Sequence, residues 1–225
     1  MDLKGRIADI RTRVDSAARR SGREPGSVTL LAVTKTFPAA VVQEAYDAGL
    51  RLFGENRVAE ALEKQGQLPL DCEWHLIGQL QTNKINKILG RFRLIQSIDS
   101  LRLARALSQR LTAPQDVLLE VNSSGEAAKA GFAPGDLAEG FAQVAALPGL
   151  NVRGLMTVGP LTPEKEVQRR AFGLTRDLFL KLRSQCPPRM DFSILSMGMS
   201  GDFEAAIEEG STLVRVGSAL FGPRA

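Results

Sequence analysis

Residues 191–222 read DFSILSMGMSGDFEAAIEEGSTLVRVGSALFG, and their pattern decides the fold. A short apolar run at 191–195 is followed by a turn of small residues, a helical segment at 201–209 and a second apolar run at 212–216. Strand, helix, strand in that order is the unit of a parallel sheet, because parallel neighbours need a long crossover between them.

The same rhythm extends back to the start of the chain. Runs at 28–34 (VTLLAVT), 51–53, 73–77 (EWHLI), 93–97 (RLIQS), 116–122 (DVLLEVN) and 152–158 (VRGLMTV) are short, and several are apolar on both faces, as buried parallel strands are. Helical segments are predicted at 39–48, 82–89, 101–111, 134–146 and 163–184. The first of these carries Val41, Val42, Ala45 and Tyr46 and stops at Gly49; the third carries Leu101, Leu103, Ala104 and Leu107 behind Asp99 or Ser100 as cap. A helix at 3–21 aligns Ile7, Ile10, Val14 and Ala17 or Ala18. Open doubly wound sheets usually have about five to seven strands, so eight strand–helix units in 225 residues predict a closed (β/α)8 barrel of the TIM type. No linker divides the chain, which is expected to be one α/β domain over residues 1–225. The additional N-terminal helix stands in for the one missing after the eighth strand.

Composition excludes several function classes. With 44% hydrophobic and 24% charged residues the chain is neither disordered nor low-complexity. No apolar run approaches the roughly 18 residues of a membrane span, and the first twenty residues lack a signal peptide's apolar middle, so a cytoplasmic protein without membrane attachment is expected. Cys72 and Cys186 form no C-x-x-C pair and no disulfide framework. The net charge of +4 is scattered rather than blocked, and aromatics are only 5%, which argues against nucleic-acid binding.

In such barrels the reactive groups lie where strands end. Lys35, in LLAVTKTFP, stands at the end of the first strand. Solvated, it is an ordinary lysine; partly buried, desolvation favours the neutral amine and carbonyl attack. The turn Ser196-Met197-Gly198-Met199-Ser200-Gly201-Asp202 and the turn Arg215-Val216-Gly217-Ser218 occupy the loops after strands seven and eight, where barrels commonly bind phosphate. A lysine facing a phosphate site suits an aldehyde that carries a phosphate: pyridoxal 5′-phosphate, or an aldolase's sugar phosphate. His75, the single histidine, excludes multi-histidine metal sites; it is either a packed, hydrogen-bonded core residue or a group at the mouth. Asn56 in FGEN either caps a helix or reaches into the mouth. Methionines such as Met156, Met197 and Met199 are core filler or could line a flat ring.

The segments LLAVTKTFP, LFGENRVAE, WHLIGQLQTNK, NSSGEAAKAGF, GLMTVGP and LSMGMSGDFEAAIEEGSTLVRVGSALFG, in this order over residues 28–222, resemble the pyridoxal phosphate homeostasis protein family, single-domain relatives of the alanine racemase barrel. The resemblance implies that Lys35 forms a covalent imine with pyridoxal 5′-phosphate. It further implies that Ser200, Gly217 and Ser218 bind its phosphate, that Arg215 faces the pyridine nitrogen, and that Asn56, His75 and Met199 line the cofactor. An arginine at the ring nitrogen disfavours its protonation and weakens the ring as an electron sink. Lys129 fits a family motif without an assigned role, while Phe37 and Gln79 stand at positions where relatives differ. Alanine racemase adds a C-terminal β domain and a tyrosine base. This chain stops at Pro223-Arg224-Ala225 and its one tyrosine, Tyr46, lies in a barrel helix. Efficient racemisation is therefore not expected, although a racemase or another imine-using enzyme is the alternative. The implied role is to buffer or deliver the cofactor within vitamin B6 homeostasis, with pyridoxal phosphate and acceptor apo-enzymes as partners; with no exposed apolar stripe standing out, a monomer is the default expectation.

Overall fold

The computed structural model describes residues 2–126 and 129–222; Ala127, Ala128 and the terminal Pro223-Arg224-Ala225 lie outside the described residues. Eight strands are present: β1 (Thr29–Val33), β2 (Leu52–Glu55), β3 (Glu73–Leu76), β4 (Leu94–Ile98), β5 (Gln115–Glu120), β6 (Leu150–Met156), β7 (Ile194–Ser196) and β8 (Leu213–Val216). Every neighbouring pair is parallel, and β8 pairs with β1 through Thr29↔Leu213 to Ala32↔Val216, so the sheet closes into a barrel in chain order. All eight runs predicted from the sequence are strands, with ends shifted by a few residues.

The outer wall is packed by α1 (Leu3–Arg20), α2 (Ala39–Asp47), α3 (Val58–Gln65), α4 (Ile85–Ile88, entered by a 3-10 turn), α5 (Leu101–Ser108), α6 (Leu137–Ala145), α7 (Lys165–Gln185), α8 (Phe203–Glu208) and the single turn α9 (Ser218–Phe221). Two of these differ from the sequence reading: α3 is expected there only as a helix for Asn56 to cap, without bounds, and α9 is a short helix after β8. Strand residues alternate between the outer layer and the barrel interior. Ala32, Phe53, Leu76, Ile95, Val117, Leu155, Leu195 and Val214 join the outer core, whereas Leu94, Leu118 and Met156 form a separate inner cluster with Ile194.

Helix α1 shows how the sequence builds this layer. Asp2 caps it by accepting from the Gly5 N–H at 2.7 Å, and Ile7, Ile10, Val14, Ala17 and Ala18 are buried at helical spacing. Each large apolar side chain buried this way contributes about 1.5–3 kcal/mol. Arg13 adds a part-exposed ion pair to Glu204 of α8 at 3.2 Å, so α1 lies against α8 as well as α9.

One glycine is demanded by the barrel wall. The β5–β6 register slips between Val117↔Val152 and Leu118↔Gly154, leaving Arg153 as a bulge. Gly154 has φ +151°, and a Cβ there would sit 1.7 Å from the Ile194 carbonyl oxygen. No other residue fits. Among the described residues no helix is long and apolar enough to cross a membrane, and no cluster of potential metal ligands is present.

Candidate functional site

The C-terminal ends of β1, β7 and β8 surround a cavity of about 250 Å³ lined by Val33, Lys35, Ile77, Met199, Ser200, Gly201, Arg215, Gly217 and Ser218. That is near the lower end of ligand pockets, which run from roughly 300 Å³ upward. Larger hollows exist: one of about 390 Å³ beside the entrances to β3, β4 and β5 has no lysine, and one of about 440 Å³ gathers Arg57, Lys84 and Lys87 away from the loops after β7 and β8. Chemistry rather than volume marks the mouth as the candidate site. Six of the eight residues picked from the sequence meet there: Lys35, Met199, Ser200, Arg215, Gly217 and Ser218.

The loops after β7 and β8 meet through one hydroxyl. Ser200 Oγ accepts from the Gly217 N–H at 3.1 Å and from the Ala219 N–H at 3.2 Å. Asp202 holds the first loop by accepting from the Met199 N–H at 2.6 Å, and burial raises the Asp202 carboxyl above its ordinary value. Gly217 approaches β1 so closely that a Cβ would lie 3.2 Å from the Val33 carbonyl oxygen, whereas Gly201 faces open space. The result is a narrow polar cradle with backbone donors on one side.

Arg215 is 4% exposed and rises from β8 into the barrel interior. Its Nη1 donates to Ser196 Oγ at 2.7 Å and its Nη2 to the Thr157 carbonyl at 2.8 Å. Burial lowers its pKa to about 10, against the attraction of Asp202 and Glu120, and it stays charged at neutral pH. Ser196 passes the chain on, donating to Gln96 Oε1 at 2.7 Å. Glu120, which the sequence reading did not single out, is buried beside this group. Desolvation and Asp99 push its carboxyl up to about 7, with Arg215 opposing. Its only signal in the sequence was an acidic residue closing an otherwise apolar strand.

Two of the sequence candidates, His75 and Asn56, lie apart from the mouth cavity. His75 does not line the mouth cavity. It lies one pleat repeat, about 6.6 Å, deeper than Ile77 on the same face of β3. There its Nδ1 pairs with Gln96 Nε2 at 2.9 Å, and it faces a hollow at the opposite end of the barrel with Thr29, Arg93 and Asp116. Burial, helped by Arg93, lowers its pKa to about 3, so it is neutral at physiological pH. Asn56 lines a separate groove of about 440 Å³ with Arg57, Gln79 and Lys84. Its Oδ1 is buried without a hydrogen-bond partner, and Gly78 packs on its carbonyl so tightly that a Cβ would come within 2.3 Å.

The remaining sequence candidates sit nearby or elsewhere. Lys129 pairs with Glu126 at 2.6 Å and reaches the Gly159 carbonyl at 3.4 Å. Phe37 packs on Phe221 with ring centroids 5.1 Å apart. Tyr46 donates to Asp71 at 2.8 Å under the Arg51 guanidinium, where the chain enters β2 and β3, so it belongs to the end opposite the mouth.

Residues 6–225 match the alanine racemase N-terminal domain family. A relative in Pseudomonas aeruginosa, named pyridoxal phosphate homeostasis protein, is 48% identical over 222 residues, covering 97% of this chain and 94% of its own. Among solved structures, an unknown protein from Bifidobacterium adolescentis superposes with a TM-score of 0.92 at 38% identity, covering 97% of this chain and 94% of that one. PipY of Synechococcus elongatus, solved with PLP bound, superposes with a TM-score of 0.84 at 38% identity, covering 98% of this chain and all (100%) of that one.

Proposed function

Because this chain belongs to the pyridoxal phosphate homeostasis protein family, we propose that it binds pyridoxal 5′-phosphate at the barrel mouth and holds it for buffering or delivery within vitamin B6 homeostasis. The observation that carries this reading is the sharing of one cavity by Lys35, Arg215 and the Ser200–Gly217 cradle. The donor set fits the group: a primary amine for an aldehyde, backbone N–H groups and hydroxyls for a phosphate, a guanidinium for the ring. When bound, the cofactor supplies an aldehyde that condenses with a primary amine, and Lys35 is the amine we assign to that covalent imine.

The chain's own residues favour holding over turnover. Arg215 is fixed by Ser196 and Thr157 and keeps its proton, so it donates to a ring nitrogen rather than accepting from one. Ser200, Gly217 and Ser218 secure the phosphate, and Met199 packs beside them. Proton transfer at a bound amino acid would need a second acid–base group facing the first. Tyr46 is at the far end and His75 is buried as a neutral core residue. We therefore assign a carrier role in the cytoplasm, with apo-enzymes as acceptors and no reaction of its own.

Replacing Lys35 with Ala tests the assignment. The wild-type protein mixed with pyridoxal 5′-phosphate should develop a visible imine band that the variant lacks. An unchanged band in the variant would overturn the role of Lys35. Turnover of alanine or serine by the wild type far above that of free cofactor would overturn the carrier role.

A further inference from the structure

Helix α3 carries a lysine where an apolar residue belongs. Val58 and Ala61 are buried on its inner face, and the third buried position is Lys64, whose side chain is only 5% exposed. All three protons of its ammonium are used: on the Thr34 carbonyl at 2.7 Å, on Glu55 Oε1 at 2.6 Å and on Glu60 Oε1 at 2.7 Å. Glu55, at the end of β2, is fully buried. A buried ion group of this kind is weak evidence for stability, because apolar residues of similar volume often serve as well.

What marks the cluster is where its other bonds end. Glu55 Oε1 also accepts from Thr34 Oγ1 at 2.7 Å, and Glu60 Oε1 also accepts from the Thr36 N–H at 2.5 Å. Thr34 and Thr36 are the two neighbours of Lys35. Thr36 is the one described non-glycine residue with a positive φ, +70°, which is unusual for a β-branched residue and persists only where the surroundings over-determine it. The turn closes with the Phe37 N–H on the Thr34 carbonyl at 3.1 Å. The backbone on both sides of Lys35 thus hangs from β2 and α3 through one ion cluster.

The geometry points to Lys64, with Glu55 and Glu60, as a positioning cluster that fixes the turn bearing Lys35 and so sets how firmly that lysine retains a phosphorylated aldehyde. This rests on the assignment of Lys35 made above. The argument is one of pre-organisation: a reacting amine held in a single orientation re-forms its bond faster than one on a mobile turn.

The test uses the full chain loaded with pyridoxal 5′-phosphate and challenged with hydroxylamine. Hydroxylamine nitrogen takes the aldehyde carbon as an oxime, the bond to Lys35 breaks, and the lysine amine is returned with its proton. The rate at which the visible band disappears reads the retention. Glu60→Gln removes one charge from the most exposed member, and the pair Glu55→Gln with Lys64→Met removes both buried charges without stranding either. Losing one charge-assisted hydrogen bond should speed release about tenfold in Glu60→Gln, and the pair should be faster still. Circular dichroism should stay that of the wild type, with the pH midpoint of the band shifted. Glu60→Gln decides alone if the pair does not fold. Folded variants with the wild-type release rate and midpoint would overturn the inference. A wild-type protein without a visible band, or Lys35→Ala retaining one, would instead overturn the assignment beneath it.

Discussion

The two ends of the barrel interior treat charge in opposite ways. At the floor, where strands begin, Arg93 and Arg153 approach Asp116 at 3.5 and 3.7 Å, Arg153 also pairs with Asp191, and Asn151 donates to Asp116 at 3.0 Å. These groups are partly solvated and paired with opposite charges, although the Arg153 Nε is buried without a hydrogen bond. At the mouth, Arg215 is buried, and its hydrogen bonds go to a hydroxyl and a carbonyl. Exposed pairs contribute about 0–1 kcal/mol and need no ligand to explain them. A buried guanidinium held by neutral groups beside a lysine and a backbone cradle is costly for folding alone. The comparison separates the end whose charges are explained by mutual pairing from the end that carries the candidate site.

Titration offers the largest way to sharpen it, because the buried groups of the two halves pull in opposite directions. His75, deeper in the barrel, has its pKa lowered from 6.5 to about 3. The unfolded chain then binds the extra proton first, so this residue's contribution is complete above pH 6.5 and is lost as pH falls toward 3. The difference in unfolding free energy between wild type and His75→Gln should therefore change by about 5 kcal/mol over that window in denaturant titrations. A pH-independent difference would show that the ring is not kept neutral by burial.

Glu120, in the mouth half, is raised from 4.5 to about 7. Here the folded state keeps the proton longer, so its contribution is present below pH 4.5 and is lost as pH rises through 7. The difference between wild type and Glu120→Gln should run the other way, by about 3 kcal/mol. Between pH 4.5 and 6.5 the two slopes oppose each other, so each variant should unmask the other residue's slope.

Binding gives a smaller and more selective contrast. Ser200→Ala removes the acceptor shared by the Gly217 and Ala219 N–H groups. Calorimetric affinity for pyridoxal 5′-phosphate should fall about tenfold, while unphosphorylated pyridoxal is unaffected. Equal losses for both ligands would mean that the turn supports the fold rather than the phosphate. The smallest effect belongs to the floor: Arg93→Met should change stability by less than about 0.5 kcal/mol and leave cofactor affinity unchanged. A floor variant that weakened binding would erase the distinction between the two ends.

Much of the barrel was legible in the sequence because a buried parallel strand announces itself locally. VTLLAVT and DVLLEVN are apolar on both faces and end in small or polar residues. The loop rule for barrels then placed Lys35, Ser200, Arg215, Gly217 and Ser218 together without any contact being known. The bounds of helix α3 escaped because its apolar stripe is interrupted by Lys64, which reads as a solvated face until Glu55 and Glu60 are seen beside it. His75 was drawn toward the mouth by its place near a strand end. Which of two inward positions one pleat apart reaches the rim depends on strand stagger, and that is a property of the closed barrel rather than of EWHLIG. Gln96 acts through His75 and Ser196, 21 and 100 residues away in sequence, and Glu120 through Asp99 and Arg215, and no local pattern encodes those pairings.

The most direct test of the central claim is borohydride reduction of the protein loaded with pyridoxal 5′-phosphate, followed by peptide mass mapping. The account predicts a yellow protein that bleaches on reduction and carries one pyridoxyl group on Lys35. Label on Lys129 or on surface lysines with Lys35 unmodified, or a protein that remains colourless and unlabelled, would contradict it.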